Sequence, residues 1–461
     1  MGNIGNNMAL QRVQELLDPN SFVEIGAQIS ARNTDYNLSS QKICSDGVIT
    51  GYGQMDGRLV FLYSQNHAIL NGTLGEMHCK KIAEVYRSAI KLGAPVIGIL
   101  DSAGFRLQES CDALEGFGFI LNELNRACGL IPSFCIIAGN CGGGLSLIPS
   151  LSDFTFMMKQ EGKLYLNSPN TIPDNYEEKL NPSKGEYQEI YSGIVDFCGE
   201  YSQISKKIKE ILDFIPSQVF GEPSFAKCQD DLNRSCEGFV PEAFDLNYFL
   251  QELSDDHFYL ELKPAYAPEF FTGFLRLGGL SIGVIGNRTV LHEVNQTKEV
   301  PARLTARGLD KGSDFVTFCN RFSIPILCIT DVVGFETSEL AERTLAKEMG
   351  RFAKALLRAD VAKVTLIPRQ AYGSGYVLMN TKSIGADFVY AWQNSKIGSM
   401  ESQKAEKILG APLDNQVQKA AGRGYVDRIL APEESRRYLI SAFDLLYTKN
   451  SIVKQKPQIT N

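Results

Sequence analysis

The stretch Phe134-Cys135-Ile136-Ile137-Ala138, followed by Cys141-Gly142-Gly143-Gly144 and the apolar segment Leu145 to Leu151, decides how this chain is read. An apolar run, a glycine turn and a second apolar run predict a buried strand, a tight turn and a helix start. Three successive glycines leave the backbone N–H groups uncovered by side chains, so a ligand can approach them closely. A helix N-terminus adds partial positive charge at the same point. Such a turn suits an anion or a developing oxyanion. The competing reading is a turn that needs glycine only for its dihedrals, and this loop alone does not separate the two.

Working outward, strands alternate with helices. Pro95 to Leu100 is a short apolar run of the buried parallel type. Glu76 to Leu92 carries Ile82, Val85, Ala89 and Leu92 at helical spacing and ends at Gly93, a good C-cap. A second helix is expected over Leu114 to Cys128, and a strand over Phe154 to Met158. Upstream, Ala9 to Leu17 reads as a short helix, Phe22 to Ile25 as a strand, and Ala31 to Asp46 as a loop. Gly47 to Tyr52 and Arg58 to Tyr63 flank Asp56-Gly57, a hairpin turn signal. The stretch Asn167 to Gly185 is rich in Asn, Pro, Ser and Gly and reads as loop. A helical pattern returns at Tyr201 to Phe214. The alternation argues for an α/β fold with right-handed crossovers.

The chain then begins again. Leu17 to Glu24 is echoed by Ser254 to Glu261, and the hairpin at Gly57 by Phe271 to Ile285, turning at Gly278-Gly279. Ala94-Pro95-Val96-Ile97 is echoed by Ile324-Pro325-Ile326-Leu327, an offset of 325 − 95 = 230. Asp101-Ser102-Ala103-Gly104-Phe105 is echoed by Asp331-Val332-Val333-Gly334-Phe335, again 331 − 101 = 230. Asp153-Phe154 returns as Asp387-Phe388. The glycine turn returns as Ala371-Tyr372-Gly373-Ser374-Gly375-Tyr376, after the strand-like Val364 to Pro368 and before a helix-like Val377 to Ile384. Two copies of one fold are expected, as domains 1–235 and 236–461, with a compositional break from Gly221 to Pro241. Two glycine turns placed alike argue for paired anion-stabilising sites more strongly than either alone.

Composition narrows the chemistry. A length of 461 residues suits two cores rather than one. A net charge of −7 gives no basic face and disfavours nucleic acid as a partner. Eleven cysteines, none in a C-x-x-C pair, argue against a zinc ribbon and for free thiols in a reducing compartment. No signal peptide and no membrane-length apolar run is visible, so a cytoplasmic location is expected. The four histidines, His67, His78, His257 and His292, form no metal-spaced cluster, and no metal is expected. Neither a G-x-S-x-G elbow nor a Walker loop is present. Two backbone pockets without an evident nucleophile suit chemistry that passes through an enolate.

The residues Gly72-Thr73-Leu74-Gly75-Glu76-Met77-His78-Cys79-Lys80-Lys81-Ile82 and Gly93 through Glu109 carry a resemblance, together with both glycine turns and Asp331 to Phe335. Across about Asp46 to Ser399 the chain resembles the carboxyltransferase subunits of biotin-dependent acyl-CoA carboxylases and decarboxylases, within the crotonase superfamily. The resemblance implies two duplicated crotonase-like ββα-superhelix domains, the first on the acyl-CoA side and the second on the biotin side. It implies that the N–H groups of Gly143 and Gly144 hold the thioester oxygen, and those of Ser374 and Gly375 the biotin ureido oxygen. Ala103, Gly104, Arg106, Gly142 and Val377 fall on the acyl-CoA side, and Gly334, Phe335, Gly373 and Tyr376 on the biotin side. Arg106 is a candidate contact for a CoA phosphate, with an ion pair inside its own domain as the alternative. Phe335 lines the biotin side or serves as core.

The implied reaction moves CO2 between N1′ of biotin and the α-carbon of an acyl-CoA. Carboxybiotin loses CO2, biotin takes the α-proton, and the enolate captures the CO2. No biotin-attachment Met-Lys-Met and no ATP loop is present, so a biotin carboxyl carrier protein and a biotin carboxylase subunit, or membrane decarboxylase subunits, are the implied partners. Relatives form dimer-based homo-oligomers, commonly hexamers, with the two half-sites on different subunits. The chain departs from the family at several points. The usual Gly-Gly-Ala is Gly373-Ser374-Gly375. The usual Asp-Ser-Gly-Gly-Ala-Arg has Phe105 in place of Ala, which narrows the CoA channel. The insertion after Met400 is short, and Val377 is apolar, which points away from a site built for one particular small acyl group. A sodium-pumping decarboxylase component and a non-catalytic acyl-CoA-binding scaffold are the alternative functions.

Overall fold

The computed structural model describes residues 7–32, 45–167, 181–218, 224–239, 244–293 and 296–449. The chain divides into two compact units, Met1–Gly221 and Glu222–Asn461. The division precedes 235/236 because residues 224–226 belong to the second sheet. Ser281 N–H donates to the Ser224 carbonyl at 3.1 Å, and Ala226 N–H to that of Gly279 at 2.9 Å.

Each unit holds one seven-stranded sheet whose spatial order follows the chain. In the first the strands are Val23–Glu24, Val48–Met55, Arg58–Gln65, Val96–Leu100, Ser133–Ile137, Phe154–Met158 and Phe197–Gly199. In the second they are Tyr259–Glu261, Phe270–Leu277, Leu280–Asn287, Ile326–Ile329, Lys363–Ile367, Phe388–Trp392 and Arg428–Leu430. In both, the first two pairings are antiparallel and the other four parallel. The central parallel strands Val96–Leu100, Ser133–Ile137, Ile326–Ile329 and Lys363–Ile367 are fully buried, as their apolar runs require. Both hairpins turn on two residues with positive φ: Asp56 and Gly57 at +49° and +76°, Gly278 and Gly279 at +59° and +87°. A carboxylate grips each turn. Asp18 accepts from the amides of Asp56 and Gly57 at 3.0 and 2.8 Å, and Asp255 from those of Gly278 and Gly279 at 3.1 and 2.7 Å.

Long helices pack one behind the other on each sheet: Glu76–Leu92 and Ser110–Ala127 in the first unit, Ala306–Arg321 and Glu339–Arg358 in the second. Glu76–Leu92 ends on Gly93 in the left-handed conformation. It buries Ile82, Val85 and Ala89 in one cluster with Val96, Leu100, Cys135 and Ile137. Two lysines 230 residues apart (311 − 81) turn inward from these helices. Lys81 Nζ donates to the Val48 carbonyl at 2.5 Å and Lys311 Nζ to that of Phe270 at 2.8 Å, each capping the start of a hairpin strand.

The structure differs from the sequence reading in the turns. The first turn is not a direct strand-to-helix link. A short strand Asn140–Gly142 pairs in parallel with Lys163–Tyr165, and a 3-10 turn Gly143–Ser146 precedes the helix Leu147–Leu151. In the second unit the helix spans Gly373–Leu378, not Val377 to Ile384. Asn380 ends it at φ +64°, where its buried amide donates to Thr365 Oγ1 at 3.0 Å. A separate 3-10 turn covers Lys382–Ile384. The helix Ser110–Ala127 starts four residues before the expected Leu114. The loops expected over Ala31 to Asp46 and Asn167 to Gly185 lie mostly outside the described residues, though a helix, Gly185–Tyr191, begins at the end of the second.

Candidate active site

The loop after Val96–Leu100 is stitched to its surroundings by backbone hydrogen bonds. Ser102 N–H donates to the Asn140 carbonyl at 2.9 Å and Ala103 N–H to Asn71 at 3.0 Å. Leu74 N–H donates to Gly104 at 2.9 Å and Arg106 N–H to Leu74 at 2.8 Å. This lays Gly104, at φ +111°, and Phe105 beside the glycine turn. A Cβ on Gly142 would stand 2.3 Å from the Tyr165 ring, so only glycine fits there. Gly143 adopts φ +62° with nothing within 4 Å of the Cβ position. At Gly144 that position lies 3.2 Å from the Phe105 ring.

The second unit repeats the arrangement. Val332 N–H donates to Gln370 at 2.9 Å, Val333 N–H to Ala302 at 2.7 Å and Glu336 N–H to Leu304 at 2.9 Å. Gly334 has φ +144° and Gly373 φ +61°. The tyrosine and the glycine of the paired short strands have exchanged places: Gly142 faces Tyr165, whereas Tyr372 faces Gly398. An offset of 230 matches Gly143 with Gly373, Gly144 with Ser374, and Leu145 with Gly375. The expected donor pairs Gly143–Gly144 and Ser374–Gly375 are therefore one position out of step in the duplicated backbone.

The opening amides of a helical turn have no intrahelical acceptor. Among the described residues, those of Gly143, Gly144, Ser374 and Gly375 donate to no backbone carbonyl outside the turn. Gly143 and Gly144 are half-buried, Ser374 is exposed, and Gly375 is buried against Val332 and Gly334. Val377 is exposed and Tyr376 packs half-buried on an apolar cluster, where burial pushes its phenol pKa up. Phe335 is half-buried. The structure gathers Ala103, Gly104, Gly142, Gly143 and Gly144 around one turn, and Gly334, Phe335, Gly373, Ser374, Gly375 and Tyr376 around the other.

Arg106 is the exception. It is a buried side chain rather than an available phosphate contact. Its guanidinium bonds Asp46 Oδ1 at 2.6 Å, Glu109 Oε1 at 2.7 Å and the Thr73 carbonyl at 2.8 Å. Glu109 in turn accepts from Glu76 N–H at 2.5 Å and Asp46 from His78 N–H at 2.8 Å. Burial pushes the Asp46 carboxyl pKa up, with Arg106 opposing the shift. Arg106 thus fixes the loop beneath Gly104 and Phe105. Sequence reasoning did not single out Asp46 or Glu109. Glu109 stands at i+3 from Arg106 and was legible as a partner, whereas Asp46 is 60 residues away and was not.

A second set of contacts reaches the same loop. His78 Nδ1–H donates to the Asp46 carbonyl at 2.9 Å, and Gln65 Nε2–H to His78 Nε2 at 3.2 Å. Gln65 Oε1 then accepts from Asp101 N–H at 3.0 Å. These partners set the neutral Nδ1–H tautomer, and burial pushes the His78 pKa down to about 3. In the second unit Asn287 Oδ1 holds Asp331 N–H at 3.1 Å in the same manner. Among the described residues no His, Cys, Asp and Glu cluster is arranged to hold a metal, and no helix is long and apolar enough to cross a membrane.

Two duplicated α/β units, each with one glycine turn in an equivalent place, define the fold of the chain. Residues 3–416 match the carboxyl transferase domain family, and the chain belongs to that family. It is 33% identical to the methylmalonyl-CoA decarboxylase subunit alpha of Veillonella parvula, over 96% of this chain and 91% of that protein. It is equally 33% identical to a putative propionyl-CoA carboxylase beta chain of Bacillus subtilis, over the same shares of each. A crystal structure of transcarboxylase 12S, a hexamer with methylmalonyl-coenzyme A and methylmalonic acid bound, matches with a TM-score of 0.89 at 29% identity, covering 98% of this chain and 91% of that one.

Proposed function

We propose that this acyl-CoA carboxyltransferase holds its two reactants on its two glycine turns. Gly143 and Gly144 donate to the thioester oxygen of the acyl-CoA, and Ser374 and Gly375 to the ureido oxygen of biotin borne by a partner protein. The observation that carries the reading is the pair of turns at Gly143 and Gly373, with φ of +62° and +61° in equivalent places.

The second turn suits the biotin ring sterically, because Gly334 has no atom within 4 Å of its Cβ position and a flat ring needs such room. Biotin supplies a carrier nitrogen that gives up or accepts the carboxyl group. The rest falls to this chain's backbone. Preoriented N–H groups at Gly143 and Gly144 meet the charge that grows on the thioester oxygen as the α-carbon becomes an enolate. Arg106, Asp46 and Glu109 hold the adjoining loop still, so little reorganisation accompanies that charge. Ala103, Gly104 and Gly142 surround the acyl-CoA, and Gly334, Phe335, Gly373 and Tyr376 the biotin.

One site serves transfer in both directions, and the relatives of the chain include a decarboxylase subunit and a carboxylase chain. A biotin carboxyl carrier protein with a biotin carboxylase, or membrane decarboxylase subunits, completes the cycle, and the chain assembles as a homo-oligomer. The test is carboxyl exchange between methylmalonyl-CoA or malonyl-CoA and free biotin. Exchange that disappears in Gly143→Val supports the reading. Tight acyl-CoA binding without exchange makes the chain a scaffold.

A further inference from the structure

We propose that Phe105, backed by Phe117, is a size-selective wall of the first half-site, excluding acyl thioesters with a bulky α-substituent. The inference rests on the reading of Gly143 and Gly144 as thioester donors. Phe105 Cζ and Cε2 lie 3.2 and 3.3 Å from the Cβ position of Gly144, and Phe117 Cε1 lies 3.8 Å from it. The two rings meet edge to face, with centroids 5.2 Å apart and planes at 71°. The Phe105 backbone is bridged in parallel to Leu74, and its neighbour Arg106 is locked in the buried ion pair. The ring is therefore anchored at its backbone and at its edge.

Elsewhere the turn is unobstructed. Neither Gly143 nor Gly104 has an atom within 4 Å of its Cβ position. The first half-site is thus open at Gly143 and Gly104 and walled at Gly144. The second unit lacks the device. Shifted by 230, Gly144 becomes Ser374, Phe105 becomes Phe335 and Phe117 becomes the exposed Lys347. Ser374 carries a side chain where Gly144 leaves room for a ring, and no phenylalanine stands where Phe117 supports one. A rigid wall on one unit alone fits the reactant that varies in size. Acyl-CoA esters vary at the α-carbon, whereas the biotin head group does not.

The experiment measures kcat/KM for carboxyl exchange with free biotin, using malonyl-CoA, methylmalonyl-CoA and ethylmalonyl-CoA. The proteins are wild type, Phe105→Ala, Phe105→Leu and Phe117→Leu. The ethylmalonyl-to-malonyl ratio is expected to rise about ten-fold in Phe105→Ala, and less in the two leucine variants. A purely structural phenylalanine would lower all three substrates together, so a ratio within about two-fold of wild type overturns the wall. If Phe105→Ala fails to fold, the leucine variants carry the same test. Gly143→Val separates the two levels. Exchange that survives it sinks the thioester placement, whereas exchange lost there with an unchanged ratio in Phe105→Ala sinks only the wall.

Discussion

Gly143 and Gly373 stand 230 residues apart in different units, yet their backbones coincide at φ +62° and +61°, and no side-chain atom lies within 4 Å of either Cβ position. The duplication has kept a backbone shape while the flanking side chains diverged, from Gly142 to Tyr372 and from Gly144 to Ser374. A shape retained under such divergence is the signature expected where amides, not side chains, contact the ligand.

Gly143→Val is the direct test. A β-branched residue at φ +62° costs about 1–3 kcal/mol, and no atom lies within 4 Å of the Cβ position, so the variant is expected to fold. The added methyl groups screen the two amides. Exchange with biotin is expected to fall by about a hundred-fold or more, the scale of losing an oxyanion donor. Thermal unfolding beside the exchange assay checks both halves, and near-normal exchange in a folded variant refutes the placement.

Arg106→Met tests the ion-pair role of that residue. Removing the guanidinium leaves Asp46 and Glu109 buried without their counter-charge, a loss of about 3–5 kcal/mol. Denaturant unfolding should therefore show a large drop in stability. A residue that merely bound a CoA phosphate would instead raise KM and leave the unfolding curve where it was.

The buried strands and the duplication were legible because buried parallel strands must be nearly continuous apolar runs. Ile97, Ile136, Leu327 and Leu366 declare themselves wherever they fall. The hairpins were legible because a two-residue loop demands positive φ, which Asp56-Gly57 and Gly278-Gly279 supply. The helix end after Leu378 was not, because it depends on Asn380 reaching back to Thr365 on the preceding strand. For Arg106 the sequence left a phosphate contact and an ion pair open, for a related reason. A loop arginine reads as exposed until the fold brings Asp46 beneath it. The glycine turns themselves were readable, and the one-residue step between the expected donor pairs follows from the 230-residue offset, which the matching φ of Gly143 and Gly373 supports.

His78 makes acid stability specific. Its pKa is pushed down to about 3 by burial, from an ordinary value of 6.5 in the unfolded chain. The unfolded state then binds the extra proton first, so stability is fully present above 6.5 and is lost as pH falls from there toward the folded value. From about pH 7.5 to about pH 5.5 the loss from this group is about 1.4 kcal/mol. Urea unfolding at both pH values should show that much more sensitivity in wild type than in His78→Asn. Equal sensitivity would mean that the histidine is not held neutral between Asp46 and Gln65.

The second turn gives the sharpest contrast between neighbouring residues. Ser374 is exposed, so Ser374→Gly removes only an exposed hydroxymethyl group and preserves the backbone donor. Gly375 is buried, with its Cβ position 3.1 Å from Val332 Cγ2 and 3.5 Å from Gly334 Cα. An alanine there requires Val332 to give by a few tenths of an ångström, whereas a valine has no room and must push the turn off Gly334. Ser374→Gly combined with Gly375→Ala, which writes Gly-Gly-Ala into the turn, is therefore expected to retain exchange. Gly375→Val is expected to lose exchange with free biotin by about a hundred-fold while methylmalonyl-CoA binding, followed by calorimetric titration, persists through Gly143 and Gly144. Loss of CoA binding in Gly375→Val would place the thioester in the second unit, and full exchange would remove the biotin site from this turn.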